Sequence, residues 1–129
     1  MDYGFVKTLD TDFESAEQRV REALATEGFG ILSVIDVQQA FKNKLELDYR
    51  PYRILGACNP GLARKAIDAE PHIGLLLPCN VVVQANPDGD GTLVSIAAPE
   101  AMFASVQSAA VHAVGDEAKE RLQRVIDAL

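Results

Sequence analysis

The chain has 129 residues, enough for one hydrophobic core and too few for two, so a single domain over residues 1–129 is expected. Apolar residues make up 48% and charged residues 24%, a globular balance that excludes a disordered or fibrous chain. Twelve Lys+Arg against nineteen Asp+Glu leave a net charge of −7, which argues against a nucleic-acid polyanion or an anionic membrane surface as partner.

Asp2 stands where a secretory leader carries positive charge, and no long apolar core follows it. The apolar runs Leu75–Leu77 and Val81–Val83 fall far short of the roughly 20 residues that cross a bilayer. A cytoplasmic protein with two reduced thiols, Cys58 and Cys79, is the expectation.

Phe5 to Leu9 alternates as a first strand does. Thr11 followed by Glu14 fits a capping box, and Phe13, Ala16, Val20, Ala23 and Leu24 then fall on one helical face. Glu17, Arg19, Arg21 and Glu22 are placed toward solvent, with Gly28 as a left-handed stop. Phe29 to Ile35 reads as a mostly buried second strand. Asp36 with Gln39 caps a short helix through Leu45, and Asn43 to Asp48 is polar enough for a surface loop. Tyr52 to Ala57 has strand composition. Asn59-Pro60 then offers an N-cap and a first helical residue for a third helix burying Leu62, Ala63, Ala66 and Ile67, which Glu70-Pro71 stops.

Ile73 to Ala85 is apolar but broken by Pro78, which predicts two pieces. Asn86 to Gly91 is dense turn chemistry before an alternating Thr92 to Ala98, so these two strands form a hairpin. Residues 104–115 show little periodicity and read as a loop or a frayed helix. Ala118, Leu122, Val125, Ile126 and Leu129 form the apolar stripe of a terminal helix. The order predicts an α+β fold, a mainly antiparallel sheet with helices packed on one face.

Two Cys-Asn pairs, Cys58-Asn59 and Cys79-Asn80, each border a predicted strand. Cys58 precedes a helix start, where the positive end of the helix dipole can lower a thiol pKa and raise its reactivity. The same pattern equally suits two small buried residues, with Asn59 capping a helix and Asn80 in a turn. No metal site is expected, since His72 and His112 lack the close ligand spacing of zinc sites. Gly28-Phe29-Gly30 precedes a strand instead of following one, so no nucleotide fingerprint and no cofactor is implied. Arg50, Tyr52 and Arg53 are the one local cluster of cations with an aromatic ring. They could grip a carboxylate or phosphate if both guanidiniums point the same way, or else pair with Glu46 and Asp48.

Gly28 to Leu32, Arg50-Pro51-Tyr52-Arg53-Ile54-Leu55-Gly56-Ala57-Cys58-Asn59-Pro60 and Gly74 to Val83 resemble the bacterial and archaeal family catalogued as domain of unknown function 302. The resemblance covers most of the chain and implies a small α+β fold similar to a single TATA-binding-protein-like unit, assembled as a homodimer. It implies no reaction. A likeness of fold to a DNA-binding protein carries no DNA binding with it in so acidic a chain. Two classes follow. One is a homodimeric binding or interaction module that holds a small ligand near Cys58, Asn59, Cys79, Asn80, Arg50, Tyr52 and Arg53. The other is a thiol-dependent enzyme or redox protein using Cys58 or Cys79.

Overall fold

A computed structural model describes residues 1–129. Five strands, β1 (Gly4–Leu9), β2 (Gly30–Asp36), β3 (Tyr52–Cys58), β4 (Cys79–Ala85) and β5 (Thr92–Ala97), form one sheet in the order β1-β5-β4-β3-β2. Every pairing is antiparallel. The helices are α1 (Phe13–Thr26), α2 (Val37–Leu45), α3 (Pro60–Ala69), the single turn α4 (Pro99–Met102) and α5 (Ala109–Asp127). The α+β class expected from the order of elements is the class observed.

Strand alternation sorts the sheet into two faces. Register places Leu55 opposite Val81, Val81 opposite Ile96, and Val83 opposite Val94. These five side chains are fully buried and join Ala16, Val20 and Leu24 of α1, Leu62 and Ala66 of α3, and Leu122 and Val125 of α5 in one core. Helices α1, α3 and α5 therefore cover this face. Lys7 of β1 shares that side of the sheet, and its ammonium escapes burial by donating to the Leu129 carbonyl oxygen at 2.7 Å, beyond the end of α5. On the other face Tyr52, Ile54, Val82 and Leu93 are half-buried and Val6 is exposed.

Several expectations need correction. The cap of α1 is Asp12, whose carboxylate accepts from the Ser15 backbone N–H at 2.7 Å; the Thr11 carbonyl instead accepts from the Thr92 hydroxyl. Glu17 does not face solvent, because its carboxylate lies between Arg21 and Arg53. Strand β2 is not buried: it is the edge of the sheet, with Leu32, Val34 and Ile35 exposed. Its β-branched composition is shared by inner and edge strands alike, and only neighbours distinguish them. Helix α2 ends at Leu45 as expected, so the polar loop begins at Glu46 and not at Asn43, and Ile67 of α3 is exposed.

Residues 109–115 are the first turns of α5, not a loop. The Ser108 hydroxyl accepts from the Val111 N–H, and Val111, Val114 and Gly115 are buried. Gly115 hides the periodicity because its contribution is the lack of a side chain: a Cβ there would meet the Phe103 ring at 3.0 Å. The Ile73–Ala85 stretch does break at Pro78, into a 3-10 turn over Pro71–Leu76 and β4. No helix is long and apolar enough to cross a membrane.

Candidate functional site

Strand β3 ends at Cys58 and β4 begins at Cys79, and the register sets Cys79 opposite Ala57. The two Cys-Asn pairs thus meet at one end of two neighbouring strands in the middle of the sheet. The intervening segment, α3 and the 3-10 turn, folds over that end and leaves a cavity of about 350 Å³, partly open to solvent. Both cysteines line it, together with Phe29 and Leu32 from β2 and its approach, Leu62, Ala63 and Ala66 of α3, Leu77, Phe103, and Val114 and Ala118 of α5. Thirteen of its seventeen lining residues, the two cysteines among them, are hydrophobic, and none is charged. Ser33 and Asn59 are its polar side chains, and the two thiols add weak hydrogen-bonding groups.

Gly56 makes the geometry possible. A Cβ at this position would collide with the Ser33 hydroxyl and come within 2.8 Å of the Pro78 ring, so only glycine lets these two residues close over β3.

Burial works against ionisation of both thiols. Burial pushes Cys79 up to about 11, with the nearby Cys58 adding to the effect, and burial also raises Cys58. At Cys58 the direction is upward, opposite to the lowering expected from the helix N-terminus beside it. No Lys, Arg or His borders the cavity to hold a thiolate or take its proton.

Asn59 and Asn80 have different fates. The Asn59 carboxamide accepts from the Leu62 N–H at 3.2 Å and donates to the Glu27 carbonyl at 3.4 Å, tying the start of α3 to the end of α1. Its polar atoms are thereby engaged in structure. Asn80 is not in a turn; it is an exposed residue of β4 beside Gly56 on the open face, away from the cavity.

Arg50 and Arg53 do not form one grip. Arg53 lies on the helix side, stacked over Phe13 at 4.9 Å, with Glu17 at 2.9 Å, Glu14 at 3.5 Å and Asp36 at 3.8 Å. Arg50 is on the other side with Tyr52 and hydrogen-bonds Gln84 at 3.0 Å. Neither pairs with Glu46 or Asp48, and Asp48 is held by Lys42. Sequence reasoning missed Phe29, Leu32, Ser33, Leu62, Ala118 and Phe103 as cavity lining, and Gln84 as the partner of Arg50. Phe103 and Gln84 reach their places only through long-range pairing, which no local pattern encodes.

The fold and the cavity define a small α+β domain with an apolar, thiol-bearing pocket closed by a helix that Asn59 caps. The family described as "Domain of unknown function DUF302" matches residues 5–129, and the chain belongs to it. Its structure is similar to that of the uncharacterized conserved protein DUF302 from Bacillus stearothermophilus, with a TM-score of 0.88 and 25% identity over 99% of this chain and 98% of that one. No curated protein matches the chain.

Proposed function

We propose that the chain is a binding module whose cavity takes a small, uncharged, mainly apolar molecule, contacted at its polar end by Cys58, Cys79 and Ser33. The observation that carries this reading is the lining itself: about 350 Å³ of space, thirteen apolar residues and no charge. That size lies within the usual range of ligand pockets, and a charged ligand would lose its hydration there without a compensating partner. The raised thiols favour binding over thiolate chemistry, because the nucleophilic form is scarce at neutral pH. The test is titration with a neutral, environment-sensitive dye such as Nile red. Saturable binding that Ala63→Phe abolishes while the fold persists is expected. Absence of binding, or binding indifferent to that substitution, would overturn the reading.

The module acts as a homodimer in this reading. Support comes from the β2 edge, where exposed Leu32, Val34 and Ile35 lie beside unpaired backbone groups. Two such edges pair antiparallel about a two-fold axis, extending the sheet from one copy into the next. The site stands in a cytoplasmic protein without a bound cofactor in this reading.

A further inference from the structure

Arg50 is set apart from most of the chain's other arginines. Arg21, Arg53, Arg64, Arg121 and Arg124 each have a carboxylate partner, whereas Arg50 is half-buried and has none within 4.0 Å. Its guanidinium stacks on Tyr49 at 4.6 Å and faces Tyr52 at 5.9 Å, and Tyr49 is held in turn edge-on by Phe41 at 5.0 Å. The rings fix the plane of the guanidinium. Its Nε–H donates to Gln84 Oε1 at 3.0 Å, which leaves the Nη edge with no protein acceptor.

Gln84 supplies the independent observation. Only 9% of Gln84 is exposed, on a sheet face where its neighbours include Tyr52, Ile54, Val82 and Leu93. An arginine offers only donors, so the atom of Gln84 facing it must be the carbonyl oxygen, and the Nε2 amide is left beside it without a protein acceptor. This amide nitrogen is not fully enclosed, since Glu100 Oε2 is the one unpartnered side-chain atom shut off from solvent, so it stays open to an incoming acceptor. Donors alone therefore gather at one point: the guanidinium edge and the amide of Gln84.

We propose that Arg50 and Gln84 form a second ligand site, on the sheet face opposite the cavity, that takes a small monocarboxylate with an apolar body. A planar carboxylate matches the paired Nη donors. Its single charge is neutralised by the single guanidinium, whereas a phosphate dianion would leave excess negative charge over an apolar face in a chain already at −7. Tyr52, Ile54, Val82 and Leu93 then receive the apolar body. This site is independent of the cavity reading: it uses other residues and the other face.

The experiment compares 3-phenylpropionate with the uncharged 3-phenylpropionamide by two-dimensional nitrogen–proton NMR on the full chain. Saturable shifts of the Arg50 Nε–H and the Gln84 side-chain amide with the carboxylate, and none with the carboxamide, are expected. Arg50→Lys, which keeps the charge and loses the fork, and Gln84→Met should each weaken binding by about tenfold. Equal binding of the carboxamide, shifts confined to cavity residues such as Leu62 and Ala118, or no shift at either group would overturn the site. The comparison of the two compounds on the unmodified chain decides the matter even if a variant fails to fold.

Discussion

The carboxamide of Asn59 lies against Gly28: a Cβ placed on Gly28 would come within 2.9 Å of Asn59 Nδ2. The chain leaves α1 through Gly28 with φ +82, and Asn59 reaches across to the Glu27 carbonyl while capping α3. A turn and a cap 31 positions apart therefore make one joint between two helices, and Arg121 of α5 completes it by donating to the same carbonyl at 3.1 Å.

Asn59→Ala should cost about 1–2 kcal/mol in a urea melt, since it removes a cap acceptor and a carbonyl donor together. Gly28→Ala should cost about 1–2 kcal/mol through its positive φ, plus the contact with Asn59. The double variant should lose less than the sum, because removing the carboxamide also removes the clash. Strict additivity would show that the two residues do not form a joint.

Both thiols should react slowly with a disulfide reagent at neutral pH, Cys79 more slowly than Cys58. Burial favours the neutral Cys79 thiol in the folded state, so its stabilising contribution is intact below the ordinary thiol value of 9.0. It is lost as pH rises toward about 11, where the folded state also ionises. The loss should reach about 2 kcal/mol and vanish in Cys79→Ala, as read by denaturation at a series of alkaline pH values. A fast-reacting cysteine at neutral pH would restore the thiolate reading.

At the acid end the sign reverses. The Arg124 guanidinium, 2.8 Å from Glu27, holds that carboxyl below its ordinary 4.5, and hydrogen bonds from Ser15 hold Asp12 below 3.8. Their contributions are complete above those ordinary values and disappear as pH falls through the lower folded ones. Thermal melts between neutral pH and strongly acidic pH should show the loss, and Glu27→Gln should flatten the part due to Glu27.

Arg53→Ala should destabilise by about 1 kcal/mol, because Glu17, only 12% exposed, loses one of its two cationic partners and Phe13 loses its cover. Arg50→Ala, with no carboxylate partner, should change stability less. Chemical denaturation of the two variants side by side checks the order.

Light scattering should return twice the chain mass of 13.9 kDa, and Val34→Lys on the exposed β2 edge should return the single mass with the fold unchanged. A single mass for the unmodified chain would remove the dimer from the proposal.

Much of the architecture was legible from local chemistry. Asn59-Pro60 announces α3, Gly28 announces the end of α1, Pro78 announces the break before β4, and Asn86 to Gly91 announces the β4–β5 hairpin. Each works through a rule confined to a few neighbouring residues: a side-chain cap, a positive φ, a missing N–H. The twin Cys-Asn pairs come together at one end of the sheet because β3 and β4 pair there. What only the tertiary structure decided is which neighbours those residues meet. Strand β2 became an exposed edge because no sixth strand lies beyond it, although its composition suits burial. The Cys58 thiol was raised because packing from distant segments desolvates it. Arg50 and Arg53 were sent to opposite faces by strand alternation, and Arg50 met Gln84 only because β3 and β4 pair in one register. Burial, pKa and hydrogen-bond partnership belong to groups brought together across the chain, whereas caps and turns are settled within it.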